Sequence, residues 1–291
     1  MRRPKRPERT IASELEWGTR KLARAGKPHP QMVALSTWAV LAGEKPGAIW
    51  LKRLAGPPSE DFTRQYRRAI GEHAGGAPFQ TAVGLAAFRT MELAVDRNVL
   101  IPRVETEDLV DRVLEWGRAH GWGVAADVGT GSGALGLALA VEGGFDRIIA
   151  TDASPEALKV ARQNAEAVRP RTPVEFREGS WLDPLNPGEA DVIVSNPPYL
   201  TTDECAHLLP EVRDYEPRMA FDGGADGLDP FREILGRGSI VLRAGGLMAL
   251  EVDSRRPTAV LDLALAGGWA DARVIDDVFG RPRYLLATRP R

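Results

Sequence analysis

From Glu105 onward, helical periodicity alternates with short apolar runs, and this alternation restricts the fold more than any other property of the chain. TEDLVDRVLEWG carries apolar residues at helical spacing, GVAADVG reads as a buried strand, ALGLALAVEG as a helix and RIIATD as a second strand. A helix then starts at Ser154, an N-cap residue followed by Pro155 at the first helical position, with the strands PVEFRE and ADVIVSN after it. GGLMALEV, a helix over Pro257 to Ala266, and the closing strands ARVIDDV and RYLLATR complete the series. Apolar strands alternating with helices predict an α/β fold whose mostly parallel sheet is covered on both faces. Such sheets bind ligands beyond the carboxyl ends of their strands, so the residues just after each strand are the candidates for chemistry.

The first part of the chain has a different texture. Ile11, Leu15, Leu22 and Ala23 fall near helical spacing, and Ser59 stands as an N-cap before Phe62, Tyr66 and Ile70. Turns are expected at Lys27-Pro28, Pro46-Gly47 and Gly56-Pro57-Pro58, and Gly71 to Pro78 is expected to end the helical pattern. PFQTAVGLAAFRTMELAV reads as two short strands around Gly84. The expected division is a small helical domain over 1–95, ending in a short β-hairpin, and a second domain over 96–291. Charge divides in the same place: residues 1–95 carry 16 Lys+Arg against 8 Asp+Glu, and residues 96–291 carry 22 against 32. The basic half is either a solvated helical face or a surface that steers an acidic protein or RNA.

Composition limits the functional classes. A charged fraction of 27 % and a hydrophobic fraction of 43 % belong to a globular chain. No apolar run reaches the ~20 residues of a membrane span. The basic start MRRPKRPERT leads into the charged pattern IASELEWGTR where a signal peptide would have an apolar stretch, so a cytoplasmic protein is expected. Cys205 is the sole cysteine and the four His residues show no metal-ligand spacing, so no metal is expected.

Four strand ends carry the chemistry. After the first strand stands Asp127-Val128-Gly129-Thr130-Gly131-Ser132-Gly133, a glycine turn that lets backbone approach a ligand at the start of a helix. Gly131, Gly133 and Gly136 also spell the dinucleotide pattern GxGxxG. A carboxylate at Asp127 beside the turn would repel a pyrophosphate and attract a cationic amino-acid ligand. Asp152, nineteen residues beyond Gly133, ends the second strand where an acid can accept hydrogen bonds from ribose hydroxyls. Trp181 follows the third strand and either flanks an adenine or belongs to the core. After the fourth strand comes Asn196-Pro197-Pro198-Tyr199. Its prolines fix the backbone and remove donors, Asn196 adds a side-chain carbonyl and Tyr199 a flat face, which together make a slot for a planar NH2 group.

With their order along the chain, DVGTGSG, TDAS and SNPPY resemble the class I S-adenosylmethionine-dependent methyltransferases, and those acting on amide or amino nitrogens in particular. VLIPRVETEDLV and EPRMAFDGGADGLDPFREI resemble more narrowly the protein-(glutamine-N5) methyltransferases that modify the GGQ glutamine of peptide chain release factors. The resemblance extends from about residue 68 to the C-terminus. It implies a Rossmann-like domain with a mostly parallel seven-stranded sheet behind a small helical, substrate-recognising domain. It further implies that Gly129, Thr130, Gly131, Ser132 and Gly133 hold the methionine part of S-adenosylmethionine, Asp152 the ribose and Trp181 the adenine, with Asp127 and Asn196 also among the donor-binding residues. Asn196, Pro197, Pro198 and Tyr199 would receive the substrate glutamine. Two departures stand out: Val104 replaces the family's proline in IPRPETE, and Glu251-Val252-Asp253-Ser254-Arg255-Arg256 replaces a Glu-Ile-Gly stretch with a following Gln.

The resemblance also sets a chemical task, because the nitrogen of a glutamine amide is a poor nucleophile. In the expected arrangement Asn196 Oδ1 and the Pro197 carbonyl accept the two N–H hydrogens and Tyr199 packs on the amide face, so no strong base is needed. Three other readings use the same residues: methylation of a ribosomal-protein glutamine, adenine-N6 methylation of nucleic acid, and a methyltransferase-fold adaptor that binds RNA or ribosomes. The acidic catalytic half, with no large target-recognition insertion, argues against DNA. An NAD dehydrogenase comes last, since no hydride-transfer His or Lys constellation is present.

Overall fold

A computed structural model describes residues 9–57 and 59–291. The basic tail before residue 9, and Pro58 of the Gly56-Pro57-Pro58 turn, lie outside the described residues. The chain forms two compact units, Met1–Leu85 with Pro210–Tyr215, and Ala86–Leu209 with Glu216–Arg291.

The first unit is helical: α1 (Ile11–Arg24), α2 (Pro30–Ala42), α3 (Pro46–Leu51), α4 (Glu60–Ala74) and α5 (Phe79–Val83), with α10 (Pro210–Arg213) returning to it. Thr10 and Ser13 form a capping box on α1, and the Ser59 hydroxyl accepts from the Phe62 N–H at the start of α4, as its position predicts. Ile11 and Leu22 enter the core with Trp38, Tyr66 and Ile70, whereas Ala23 is exposed. A Cβ at Gly18 would stand 2.3 Å from the Tyr66 hydroxyl, so only glycine lets α1 approach that ring. Buried Glu14 is held by the Arg67 fork at 2.7 and 2.8 Å.

The hairpin departs from the sequence reading. Gly84 ends α5, and the strands β1 (Leu85–Phe88) and β2 (Met91–Ala94) turn at Arg89-Thr90 instead. Arg89 adopts a left-handed φ of 52°, a conformation sequence patterns assign to glycine or asparagine. Its guanidinium reaches Glu142 at 2.6 and 2.7 Å and Asp111 at 2.8 Å, and its N–H donates to Glu107 at 2.9 Å. Ala86, near the start of β1, and Val95, just past β2, pack on Ala157 and Val160, so the hairpin belongs with the second unit.

The second unit continues with α6 (Val104–His120), β3 (Val124–Val128), α7 (Ala134–Glu142), β4 (Arg147–Asp152), α8 (Pro155–Val168), β5 (Val174–Glu178), β6 (Ala190–Ser195) and α9 (Thr202–Ala206). A 3-10 turn at Arg218–Ala220, α11 (Asp229–Val241), β7 (Leu242–Glu251), α12 (Pro257–Ala266), β8 (Ala270–Asp276) and β9 (Pro282–Thr288) complete it. The seven-stranded sheet runs β5-β4-β3-β6-β7-β9-β8, parallel except for β9, which is antiparallel to both neighbours. Side chains alternate between its faces. Ala125, Val192, Val194, Leu247 and Ala249 meet α6 and α7 on one face, while Ala126, Val128, Ile193, Met248 and Leu250 meet α11 and α12 on the other. From β3 the chain winds outward through β4 and β5, then returns to β6 on the other side of β3. That reversal opens a crevice between the ends of β3 and β6, and both the glycine turn and the Asn-Pro-Pro-Tyr segment start there.

Candidate active site

The loop after β3 is shaped from beneath. Asp127 is 1 % exposed, and its Oδ2 accepts from the Thr130 hydroxyl at 2.6 Å and the Gly136 N–H at 2.8 Å. Burial pushes its carboxyl up to about 6, against those two hydrogen bonds, which favour the charged form. Asp127 therefore builds the loop from inside and does not line the cavity above it. Gly129 and Gly131 take φ of 72° and 56°, and a Cβ on either would meet open space. Their backbone thus faces the cavity in a conformation that L side chains rarely adopt. Thr130 and Ser132 are buried, and Gly133 begins α7 with a φ of 86°.

Asp152, at the tip of β4, accepts from the Gly131 N–H through Oδ2 and from the Ser154 N–H through Oδ1, both at 2.9 Å. Burial raises its pKa against these backbone donors. The carboxylate faces a cavity of about 460 Å³ shared by Gly129, Gly131, Trp181, Asn196 and Pro198. A narrower recess of about 50 Å³ shares Gly129, Gly131 and Asn196 with it and reaches Arg103 and Thr106. Trp181 packs on the core below and lines the cavity above.

Asn196 stands between the two recesses. Its Nδ2 donates to the Thr106 hydroxyl at 3.1 Å, and among the described residues its Oδ1 has no hydrogen-bond partner. Thr106 donates in turn to Glu251 Oε2 at 2.7 Å. The Tyr199 hydroxyl donates to Glu251 Oε1 at 3.4 Å, so this ring turns toward the end of β7 and does not line the cavity. Pro197 is buried and Pro198 lines the cavity. Glu251 is 2 % exposed, and burial lifts its carboxyl to about 7, opposed by the Thr106 hydrogen bond and the Arg283 charge. The Tyr199 phenol is raised as well, by burial and then by Glu251.

Thr106 and Glu251 were not legible as site residues. A threonine on the first turn of a helix and a glutamate at a strand end carry no spacing signal, and 145 positions separate them. Glu216, in the EPRMAF segment, is a similar case. Its carboxylate accepts from the Ile101 N–H at 2.9 Å and from Arg103 at 2.6 Å, tying that segment to IPRVETE. Among the described residues, no group of three or more His, Cys, Asp or Glu side chains is placed to hold a metal ion, and no helix is long and apolar enough to cross a membrane.

The cavity suits the donor named by the resemblance. Exposed loop backbone, an acid anchored at a strand end and an indole face meet in one apolar crevice. Residues 113–210 match the family described as methyltransferase small domain. Over 283 residues the chain is 39 % identical to the release factor glutamine methyltransferase of Moorella thermoacetica, covering 96 % of this chain and 99 % of that protein. The Bacillus subtilis protein of the same name is 35 % identical, covering 96 % of this chain and 98 % of its own. A methyltransferase structure from Pyrococcus furiosus superposes with a TM-score of 0.48 at 20 % identity, over 78 % of this chain and 98 % of that one. Identity at this level along nearly the whole length of both chains shows that the protein belongs to the release factor glutamine methyltransferases.

Proposed function

We propose that the chain methylates the N5 amide nitrogen of the GGQ glutamine in peptide chain release factors, with S-adenosyl-L-methionine as donor. The observation that carries this reading is the fixed orientation of Asn196. With Nδ2 committed to Thr106, its Oδ1 is the end left for a substrate N–H.

Amide resonance, which gives the C–N bond its ~18–20 kcal/mol rotation barrier, keeps the glutamine nitrogen unreactive. Asn196 Oδ1 and the Pro197 carbonyl accept the two N–H hydrogens and fix the amide plane. The Gly129–Gly133 loop and Asp152 would hold the methionine and ribose parts of the donor, and Trp181 would hold its adenine. When bound, S-adenosylmethionine supplies an electrophilic methyl group on a sulfonium. Trp181 and Pro198 line the crevice with apolar surface, which strengthens each polar contact made against them. Holding both reactants in one geometry lowers the barrier by up to ~7–11 kcal/mol. The N–H proton held at Asn196 Oδ1 leaves to solvent once the nitrogen has become acidic, so no buried base takes part.

The helical unit is the part we assign to recognition of the release factor outside its GGQ loop. The excess of basic residues over 1–95 and the exposed Trp50, Leu51 and Leu54 support this assignment. Release factors act on ribosomes, so the reading implies a cytoplasmic location.

The test is mass spectrometry of an unmodified release factor incubated with the chain and S-adenosylmethionine, beside a factor whose GGQ is changed to GGA. One added methyl group on the GGQ glutamine, absent from the changed factor, is the expected result. No added methyl group, with donor binding intact, would overturn the substrate assignment and turn attention to ribosomal-protein glutamines.

A further inference from the structure

We propose that Thr106 and Glu251 are positioning residues for methyl transfer, which fix through the chain Asn196–Thr106–Glu251 the end of the Asn196 amide that faces the substrate. This inference rests on the glutamine methylation proposed above.

An asparagine amide has nearly the same shape either way round, but its two ends are chemical opposites. Turned about, Asn196 would aim N–H donors at the substrate's own NH2 and hold nothing. What chooses the orientation is the partner on the far side. That partner is the Thr106 hydroxyl, which has one hydrogen to give. Its hydrogen goes to Glu251 Oε2 at 2.7 Å, so only lone pairs are left toward Asn196. Lone pairs accept, and the Asn196 end that donates to them at 3.1 Å is Nδ2. The chain ends in a group that, when ionised, can only accept, and this gives every bond in it a single direction.

Burial strengthens the case. Thr106 is 5 % exposed and Glu251 2 % exposed. A buried carboxylate costs stability that an apolar pair of similar shape would not. The groups facing Glu251 are Thr106 and Glu105 from α6, Tyr199 from the segment after β6, and Arg283 from β9. Among them Arg283 favours the ionised form and Glu105 opposes it. Protonation at Oε2 would make Glu251 a donor to Thr106, free the hydroxyl hydrogen to point at Asn196, and so permit the reversed amide. Activity therefore requires the ionised carboxylate.

The experiment measures kcat, KM for unmodified release factor, and donor Kd for the full chain and for Thr106→Val, Thr106→Ser and Glu251→Gln, with thermal melts as a check on folding. Thr106→Val is expected to lower kcat roughly 10–100-fold through loss of orientation, with donor Kd within about twofold of wild type. Thr106→Ser keeps the hydroxyl and is expected to recover most of that loss, which a role confined to packing would not produce. Glu251→Gln can present either end of its amide to Thr106. It is expected to lower kcat and to flatten a wild-type kcat profile that rises with pH through about 7. A folded Thr106→Val with wild-type kcat would overturn the inference, as would serine and valine variants that are equally impaired, or a Glu251→Gln profile that still rises through the same pH. If the wild-type chain leaves the release factor unmethylated, the function proposed above fails first, and that result is visible without any variant.

Discussion

Asp152 holds Gly131: the carboxylate at the tip of β4 accepts the N–H of the loop after β3 at 2.9 Å, while its other oxygen accepts the Ser154 N–H at the same distance. Two neighbouring strand ends are thereby joined by one side chain. Asp152→Ala removes both acceptors and leaves two backbone donors without protein partners, a loss of about 1–3 kcal/mol each where water cannot reach them. We expect donor affinity to fall at least roughly tenfold, a change of about 1.4 kcal/mol. Calorimetric titration with S-adenosylmethionine checks this, and unchanged affinity would remove Asp152 from the donor site.

The glycine loop predicts two graded responses. Gly131→Ala meets no atom within 4 Å, so its cost is conformational alone, about 1–2 kcal/mol for an L residue held at this φ. Gly133→Ala adds a contact 3.0 Å from Leu137 Cδ1 and is expected to cost more. Urea denaturation of the two variants should rank them in that order.

Asn196→Ala removes the acceptor of the substrate N–H and leaves the Asp152–Gly131 tie untouched. Loss of one such pre-arranged polar group lowers kcat by roughly 10²-fold or more. Donor Kd is expected to stay near wild type. Single-turnover methylation beside calorimetry separates the two, and near-normal turnover would exclude the proposed role.

Glu251 links activity to stability with opposite signs. Its folded-state pKa, about 7, lies above the ordinary 4.5. A group raised on folding contributes stability that is fully present below its ordinary pKa and is lost as pH rises through the folded value. From about pH 4.5 to 7 the folded wild-type chain should therefore lose stability on account of this carboxyl, by an amount on the order of 3 kcal/mol. Glu251→Gln has no such proton to lose. It is expected to melt above wild type at pH 8 and near it at pH 5, while methylating more slowly than wild type at pH 8 and losing that difference at pH 5, where the wild-type carboxyl is protonated too. Melts across that range decide the matter, and a variant less stable than wild type at pH 8 would contradict it.

The strand ends were legible because each chemical group stood directly after an apolar run: Gly131 after β3, Asp152 at the end of β4, Asn196 after β6. Local order along the chain encoded local position in the crevice. The tie between Asn196, Thr106 and Glu251 was not legible, because it joins the first turn of a helix to a strand end far along the sequence, and either residue alone is ordinary. Asp127 shows a subtler limit. Its place beside the glycines was plain, yet a carboxylate pointing up at a ligand and one pointing down at Thr130 look identical in sequence. The hairpin was misplaced for a physical reason: Gly84 has the conformation expected of a turn, but it ends a helix, and the true turn is made by an arginine held in place by carboxylates.

The position of β9 has a consequence for how the protein is made. It is the last strand in the chain, yet it lies inside the sheet between β7 and β8, paired along Leu247–Glu251 on one side and Ala270–Asp276 on the other. During synthesis β7 and β8 both exist before the strand that joins them. Until then β7 presents an unpaired apolar edge of Leu247, Met248, Ala249 and Leu250, the kind of surface that attracts other strands. The nascent chain is thus most prone to aggregate in the interval between β7 and β9, when Glu251 already ends β7 but the strand carrying Arg283 has not yet been made.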